Sequence, residues 1–535
     1  MNDTFRRSFT WLHTWIGVSV GWILFAMFVT GTAAYFREEI TQWMQPEVQS
    51  PKNLDARATA TNAIRYLEEH APRQGSWGIE LPDARHPLTH VFWGPTPVEG
   101  PALQRRGELI ARIRGPQSQT LGPDGSPIAL RATNGGDFLF LFHLSLNLQL
   151  IGQWVVGFCG SFMLVTLVAG AIIHHRIFAD FFTLRLNRGQ RSWLDAHTTV
   201  AALALPYFIV ITYTGLAGIS TTFMPWGGRA NYSASWGESL DNFYDVVFPR
   251  DRVGPPSGTA APLAPIGPML DQARRQWGGD QVETIFISYP GDAAARVEMI
   301  RSAYSGLYTR FESIQFNGVS GAMTFTSAKP GLATRGWESM VSLHTARYAP
   351  LALRWFYFTL GLMGITTVGT GLVLWTAKRR AKQAQAGRFE LGFAVVERLN
   401  IGTLVGLPIG VASYFWANRL LSVDLSDRAG VEVRCLFAAW AAALAYAVLR
   451  SPRRAWSEEL SVAAALFAGI PLLNALTTPR NLPASLLHHD WVFAGFDTAM
   501  LAIAAVFAIA AWKVGFGSRT SRPTQLLRSN YAEVS

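Results

Sequence analysis

Residues 11–36 read WLHTWIGVSVGWILFAMFVTGTAAYF, a continuous run that contains no Asp, Glu, Lys or Arg. A helix needs about 20 apolar residues to cross the hydrocarbon core of a bilayer. The run is longer than the apolar segment of a secretory signal, which spans about 7–15 residues. We therefore predict a membrane helix that the mature protein retains, with His13 near its start and Gly31 near its end.

The spacing between these two residues recurs in a second apolar run. Gly31 follows His13 at the same distance along the chain as Gly215 follows His197. In both runs a threonine precedes the glycine. Polar side chains are costly inside a membrane and are retained there mainly for function. The repeated spacing therefore predicts an internal duplication that keeps a histidine in each copy.

A second spacing also occurs twice, and it contains histidine, tryptophan and glycine in that order. His143, Trp154 and Gly170 form the first copy, and His344, Trp355 and Gly371 form the second. Both gaps, from histidine to tryptophan and from tryptophan to glycine, are identical in the two copies. Together the two spacings place one histidine at the edge of each of four membrane segments.

The composition predicts a protein with many membrane spans. Hydrophobic residues make up 49% of the chain and charged residues only 15%, as is typical of polytopic membrane proteins. Eight apolar runs are long enough to cross a bilayer: 11–36, 152–176, 197–222, 353–376, 395–416, 430–449, 458–476 and 491–513. The net charge of +10 does not indicate nucleic-acid binding, because the basic residues lie in short loops beside apolar runs.

These basic loops also predict the orientation in the membrane. Groups of Arg and Lys follow the second, fourth, sixth and eighth apolar runs, on the same side as Arg6 and Arg7. Positive charge marks the cytoplasmic side, so both termini are expected in the cytoplasm. The expected segments are four core helices (11–36, 143–176, 197–222, 344–376), two outside insertions (37–142, 223–343), a four-helix extension (395–513) and a cytoplasmic tail (514–535).

Each insertion is expected to form a small α+β domain. In the first, Ala58–His70 is predicted as a helix, and Ile79–Phe92 and Leu109–Ile113 as strands. In the second, the predicted elements are a helix and three strands: Pro268–Trp277, Thr284–Tyr289, Ala295–Ile300 and Leu307–Ser313. The predicted fold class is thus a mainly α-helical polytopic membrane protein with about eight spans and two outside α+β domains.

The topology predicts two histidine pairs, with His13 and His197 near the cytoplasmic face and His143 and His344 near the outer face. A pseudo-two-fold axis along the membrane normal would bring each pair to one height. Two facing imidazoles in a helical bundle suit a six-coordinate haem iron. Zinc is the alternative, although it binds three or four protein ligands and each level offers two histidines. His174, at the inner end of the second run, is a further candidate ligand.

Several stretches resemble the PepSY-associated transmembrane family. They are Leu12–Gly17, Thr30-Gly31, Tyr35–Ile40, Phe142-His143, Gly152–Trp154, Ala196-His197, Leu343-His344, Arg354-Trp355 and Thr370–Trp375. The resemblance covers residues 5–380 and implies PepSY-like outside domains and a four-helix core that binds two haem b groups. The four C-terminal helices depart from the short form of the family.

The resemblance also implies an activity, since members characterised as ferric-siderophore reductases act in the bacterial inner membrane. We expect a haem-dependent iron-chelate reductase whose partner is a ferric siderophore or another iron(III) chelate in the periplasm. The electron donor would be a cytoplasmic flavin reductase or quinol, because the chain lacks a glycine-rich nucleotide motif of its own. The residues predict no catalytic side chain.

Two alternatives come from other functional classes. A transporter of siderophore, peptide or metal would use the histidines structurally, but it should show broken helices and intramembrane charges, which the core runs lack. An envelope regulator would bind its partner through the outside domains and use the membrane part as an anchor. An anchor would not need four histidines at matched positions.

Overall fold

The computed structural model describes residues 3–48, 55–72, 74–95, 117–173, 190–232, 242–243, 246–247, 253–308, 312–385 and 390–516. Within these ranges eight helices are long and apolar enough to cross a membrane. This confirms the predicted fold class of a mainly helical polytopic membrane protein with an additional α+β part. The predictions for Leu109–Ile113, for His174 and for most of the 514–535 tail lie outside the described residues.

The first repeat contains five helices and three strands. In chain order they are α1 (Asp3–Ala34), α2 (Arg37–Met44), α3 (Ala56–His70), β1 (Ser76–Glu80), β2 (Thr89–Gly94), β3 (Ser118–Leu121), α4 (Gly135–Ser145) and α5 (Gln149–Ile173). The long helices α1 and α5 are the first two membrane spans.

The second repeat has the same plan. It comprises α6 (Gln190–Gly218), α7 (Ser220–Phe223), α8 (Trp226–Asn231), α9 (Ile266–Gln276), β4 (Val282–Ser288), β5 (Arg296–Arg301), β6 (Ser313–Asn317), β7 (Met323–Thr326), α10 (Leu332–Thr345) and α11 (Leu351–Gln385). The C-terminal extension then adds α12 (Leu391–Leu404), α13 (Gly406–Leu420), α14 (Arg428–Leu449), α15 (Pro452–Thr477), α16 (Leu482–Leu487) and α17 (Trp491–Phe516).

Each of the segments 143–176 and 344–376 contains, within the described residues, the end of a short helix followed by the membrane span. Each is divided by a residue with a left-handed backbone, Leu146 in the first and Ala346 in the second, both with φ of 50°. A left-handed residue at this point ends a helix. The two histidines therefore lie in the last turns of the short helices α4 and α10, and the spans α5 and α11 begin a few residues later.

The two insertions share one antiparallel sheet of seven strands, in the order β3-β2-β1-β4-β5-β6-β7. The first strands of the two insertions, β1 and β4, pair at its centre, with Gly78 opposite Phe286. Helices α3 and α9 cover the same face, where their apolar side chains and those of the strands form one core. The two predicted domains are thus the halves of a single α+β unit.

Two of the strand predictions need correction. The predicted strand Ile79–Phe92 contains two strands, β1 and β2, and the turn between them. The predicted strand Leu307–Ser313 ends where β6 begins, at Ser313. The sequence did not predict β7, a short and largely exposed strand at the sheet edge.

A glycine sets the packing on the opposite face of the sheet. The Phe92 ring lies directly over Gly78, where a Cβ atom would be 1.8 Å from the Phe92 Cζ atom. The ring of Phe286, whose centre is 6.1 Å away, packs edge-on against Phe92. A side chain at position 78 would displace this pair at the centre of the seam between the repeats.

The extension packs against the core through α2. Trp43 is fully buried, and its ring stacks on Phe496 with the centres 4.2 Å apart. Its Nε1 atom donates to Asp497 at 3.0 Å, and the Arg419 guanidinium lies 3.9 Å from the ring centre. The short helix α2, which follows α1 in the chain, therefore connects the core to the extension.

Candidate functional site: two histidine pairs

The four histidines of the repeat come together as two pairs. His13 in α1 faces His197 in α6, with the ring centres 6.3 Å apart. His143 in α4 faces His344 in α10, with the ring centres 6.0 Å apart. Each pair takes one histidine from each repeat, which is the arrangement that the duplication predicts. We refer to them as the inner pair (His13 and His197) and the outer pair (His143 and His344).

Each of the four histidine rings is held by the same type of hydrogen bond. The Nδ1 atom of each donates to a backbone carbonyl in a neighbouring helix: His13 to Thr166 (2.9 Å), His143 to Met27 (2.8 Å), His197 to Thr367 (2.8 Å) and His344 to Ile211 (2.8 Å). A carbonyl can only accept, so Nδ1 carries the hydrogen and Nε2 carries the lone pair. Metal-binding histidines are oriented by this type of contact.

The repeat glycines form the surfaces on which the rings rest. Each lies four residues after the accepting carbonyl, and an added Cβ atom would meet the histidine ring at 3.3 Å (Gly170 and His13), 2.7 Å (Gly31 and His143), 3.1 Å (Gly371 and His197) or 2.6 Å (Gly215 and His344). These distances are close to or below the lower limit of ordinary contacts, so a larger residue would displace the ring. Within each segment, the spacing that revealed the duplication therefore separates a histidine of one pair from the glycine that contacts a histidine of the other pair.

The separation within each pair fits a shared metal centre. A metal ion bound by one nitrogen of each imidazole at about 2.0–2.1 Å would lie between two rings whose centres are roughly 6 Å apart. Among the described residues no group of three or more His, Cys, Asp or Glu side chains is arranged to hold a metal ion. A cofactor that supplies its own equatorial ligands, as a porphyrin does, fits this two-histidine donor set better than zinc does.

Comparison with known proteins places these elements in a family. A family model described as the PepSY-associated TM region matches residues 10–378. The chain belongs to this family. The matched region of this PepSY-associated protein contains all four histidines and both halves of the sheet, and it ends before α12.

One relative of this PepSY-associated protein comes from Pseudomonas aeruginosa. It bears the name Uncharacterized protein PA4219 and is 27% identical over 301 residues. These residues amount to 52% of this chain and 70% of the relative.

A cavity of about 370 Å³ surrounds the outer pair in this PepSY-associated protein. Cofactor-sized ligands occupy sites of about 300–1,000 Å³, so the volume suits such a ligand. The residues that line it include both outer histidines, the glycines Gly31 and Gly215, and a charged group consisting of Arg37, Glu38, Arg85 and Arg347. Sequence analysis predicted the histidines of this wall but assigned no role to Arg37, Glu38 or Arg85.

Glu38 is the centre of the charged group. Its carboxylate is 3% exposed and lies 2.7 Å from Nε of Arg37 and 2.6 Å from Nη2 of Arg85. Burial alone would raise the pKa of Glu38, but the two guanidiniums outweigh it and hold that pKa well below its ordinary value. Tyr304 donates to the same carboxylate at 3.1 Å. The signal in the sequence was Arg37-Glu38-Glu39 directly after an apolar run.

The charged group also joins the membrane helices to the sheet. Glu39 lies 2.6 Å from Nη1 of Arg354 in α11 and 3.1 Å from Nη2 of Arg85 in the sheet domain. Arg347 lines the cavity three residues after His344. Burial and the nearby charge of Arg37 lower the pKa of Arg347. The wall of the cavity beyond the outer pair is therefore rich in guanidinium groups.

Proposed function

We propose that this protein is a transmembrane di-haem electron-transfer protein that reduces an iron(III) chelate, such as a ferric siderophore, on the side of the sheet domain. The observation that carries the proposal is the pair of bis-histidine arrangements, in which all four Nδ1 atoms are fixed by carbonyls. The proposal includes a location in the bacterial inner membrane with both termini in the cytoplasm, because basic loops mark the cytoplasmic side.

The inner pair would hold one haem b and the outer pair a second. Haem bound in this way supplies one-electron transfer across the membrane. The protein's own contribution is to present Nε2 lone pairs from rings that cannot rotate. The carbonyl at Nδ1 and the glycine beneath each ring both restrict its orientation, so the ligands are preorganised.

Apolar side chains line the region between the two pairs. Phe208 is 1% exposed and packs edge-on against Phe28, with the ring centres 5.8 Å apart. Leu24, Met163 and Ala204 belong to the same cluster. The cavity at the outer pair reaches Leu24, Phe28 and Met163, and such an apolar lining suits a buried cofactor.

The charged wall beyond the outer pair supports an anionic substrate. Arg37 and Arg347 both line the cavity there. Guanidinium groups bind carboxylates and other oxygen anions well. Hard oxygen ligands favour iron(III) over iron(II), so reduction would weaken a siderophore's hold on its iron. A cytoplasmic flavin reductase or quinol is the proposed donor.

The first test is the haem content of the purified protein, measured by a reduced-minus-oxidised visible spectrum and by pyridine haemochrome. We expect two b-type haems per chain, a loss of one in His13→Ala and a loss of one in His143→Ala. His70→Ala is the matched control, because His70 is exposed at the end of α3 and bonds to Tyr66 of its own helix. A wild-type protein without haem, when haem is supplied during expression, would overturn the proposal.

The second test separates reduction from binding. The dithionite-reduced protein is mixed in a stopped-flow instrument with a ferric siderophore, or with the same siderophore loaded with gallium(III), which has a similar size and cannot be reduced. We expect rapid reoxidation of the haem spectrum with iron and none with gallium. Equal rates of haem reoxidation by the iron complex and the gallium complex would contradict the proposal that iron(III) is the electron acceptor.

A transport role for the C-terminal extension is a second candidate, because one observation favours it. The extension contains fully buried charges, such as Arg428 and Glu432, and a membrane span that carries a proline, Pro408. Broken helices and buried charges are typical of transporters. Accumulation of the gallium complex by proteoliposomes would support transport, and exclusion of the complex would leave electron transfer alone.

A further inference from the structure

One carboxyl group in the extension is buried without a partner. Glu459 lies in the span α15 and is 3% exposed, and neither of its carboxyl oxygens has a hydrogen-bond partner among the described residues. Its neighbour Glu458 provides a contrast, because it is partly exposed and its carboxylate lies 2.8 Å from Nη2 of Arg450. Two adjacent acidic residues therefore have opposite environments.

The surroundings of Glu459 are apolar. Ala455 and Ala463 lie one turn before and one turn after it, and both are fully buried. Ala455 packs in a cluster with Ile401 of α12 and Ala447 of α14. Ala463 packs in a cluster with Val405 and with residues of α13 and α14. The face of α15 that carries Glu459 thus points into the interior of the extension.

The charged groups on the helices that pack against α15 either bond to residues other than Glu459 or lie elsewhere on their helices. On α12, Glu397 pairs with Arg380, and Arg398 donates to the Arg450 carbonyl at 2.7 Å. The charges of α13 and α14 (Arg419, Arg428, Glu432 and Arg434) lie toward the other ends of those helices, and Lys513 of α17 is exposed. Tyr446 bonds to Glu458. Among the described residues none of these groups forms a hydrogen bond or ion pair with Glu459.

An unpaired carboxylate at such a position would be very unfavourable, because burial of a charge costs several kcal/mol or more without a partner. A metal cation is a poor substitute for a partner here, since Ca²⁺ and Mg²⁺ need about six oxygen ligands. A bound proton removes the charge and needs no further ligand. We infer that Glu459 is a proton-binding site of the C-terminal extension and is a neutral carboxylic acid at neutral pH.

The span formed by α12 and α13 packs beside Glu459, so proton binding there can influence the packing of the extension. Pro408 has no N–H group, so the Leu404 carbonyl loses its helical donor. Val405 keeps its own helical hydrogen bonds to Ile401 and Ile409, at 3.0 Å each. Its side chain packs in the same cluster as Ala463 of α15. Loss of the proton would place a charge in this packing, so proton binding favours the closed arrangement over an open, hydrated one.

Infrared spectroscopy of the full-length protein in detergent at neutral pH tests the inference. We expect a band of a protonated carboxylic acid that shifts in D2O, that is absent in Glu459→Gln and that persists in Glu458→Gln. A band that persists in Glu459→Gln, or its absence from wild type, would overturn the inference. A band that appears only when Na⁺ is withdrawn would show a cation site instead. None of these results depends on haem.

Thermal unfolding gives a second readout that does not depend on assigning the band. The ionised carboxylate is far more favourable after unfolding than in the closed interior. The free energy of unfolding of wild type should therefore fall as pH rises above about 4.3, the ordinary pKa of a Glu side chain. Glu459→Gln should fold and should lack this part of the pH dependence, whereas Glu458→Gln should retain it. Identical pH profiles for wild type and Glu459→Gln would contradict the inference.

Discussion

At the scale of single residues, the candidate site depends on pairs formed by one histidine and one glycine. The glycine lets the ring approach a neighbouring helix, and the carbonyl four residues earlier fixes its orientation. In the first repeat this relation is reciprocal: His13 of α1 contacts Gly170 of α5, and Gly31 of α1 contacts His143 of α4. A single helix thus contributes a ligand to one site and a contact surface to the other.

Gly31→Ala tests this relation at the outer pair. Its Cβ atom would lie 2.7 Å from Nδ1 of His143, so the ring must shift and the hydrogen bond to Met27 must weaken. We expect the loss or a clear spectral change of one haem, with the other retained. Gly17→Ala in the same helix is the matched control, since nothing lies within 4 Å of its added Cβ atom. Equal spectra for the two variants would show that Gly31 plays no such role.

Glu38 gives a prediction of pH dependence. Its pKa is lowered in the folded protein, so its stabilising effect is complete at neutral pH and is lost as pH falls below the ordinary Glu value of about 4.3. Glu38→Gln leaves Arg37 and Arg85 without this partner and should reduce the free energy of unfolding at pH 7 by about 3–5 kcal/mol.

Chemical denaturation in detergent at several pH values measures this effect. The difference between wild type and Glu38→Gln should shrink on acidification. Glu69→Gln, on the exposed surface of α3, should match wild type throughout. A difference that stays constant down to pH 3 would mean that ionisation of Glu38 is not its origin.

Arg347 gives a prediction for the substrate. If guanidinium groups attract an anionic chelate, Arg347→Ala should slow reoxidation by a ferric siderophore at low ionic strength, by roughly tenfold if steering is strong. The effect should diminish as salt is added, because screening weakens attraction between charges. Arg65→Ala on α3 is the control, because it removes the same charge at a different position. The same loss of rate in both variants would indicate an effect of net charge alone.

At the scale of secondary-structure elements, short or irregular helices make the connections between the large parts. α2 carries Glu38 and Glu39 toward the sheet and Trp43 toward the extension. α12 performs a similar task at the other side of the molecule. Its Asn400 is 1% exposed, accepts from Trp22 Nε1 at 2.9 Å and donates to the Leu372 carbonyl at 3.0 Å.

Asn400→Ala tests the second connection. The Trp22 indole and the Leu372 carbonyl would lose a partner, at a cost of about 1–3 kcal/mol for a buried group left unsatisfied. Leu372 follows Gly371, on which His197 rests, so the haem of the inner pair should change its midpoint potential more than that of the outer pair. Redox titration measures both. Ser413→Ala, which removes a bond within one helix, should change neither, and equal shifts at both pairs would contradict the connection.

At the scale of the whole molecule, one pseudo-two-fold relation organises both the membrane part and the sheet. The histidine pairs join equivalent helices of the two repeats, and β1 and β4 join equivalent strands. The histidine pairs and the pairing of β1 with β4 both form only when the two repeats fold against each other. The outside unit therefore fixes the relative position of the helices that carry His143 and His344.

A disulfide bond between the insertions tests this arrangement. Ile79 and Ile285 are directly opposite each other in β1 and β4, and opposed residues have Cβ atoms about 4.5–5.5 Å apart. In a chain without Cys159 and Cys435, the pair Ile79→Cys and Ile285→Cys should form a disulfide, visible as two fragments linked after proteolysis. The pair Ile79→Cys and Val297→Cys, two strands apart, should not. Linkage in neither pair would contradict the shared sheet.

The spans, the duplication and the identities of the four histidines could be predicted from the amino-acid sequence. These follow from apolar runs and from the repeated spacings between histidine, tryptophan and glycine, because burial in hydrocarbon and helical geometry act along a single segment. The short helices before the second and fourth spans were not predicted. Left-handed residues separate them from the spans without a strong signature in the sequence: Leu146, Asn147 and Gln149 in the first case and Ala346 in the second.

Other contacts depend on how whole elements pack. The union of two insertions into one sheet and the salt bridge between Glu38 and Arg85 join segments far apart in the chain. The burial of Glu459 without a partner among the described residues also depends on neighbouring helices. Contacts of this kind are set by the packing of whole elements, and a spacing within one segment carries no information about them. The histidine pairs are the exception, because the duplication repeats the spacing and symmetry then relates the two copies.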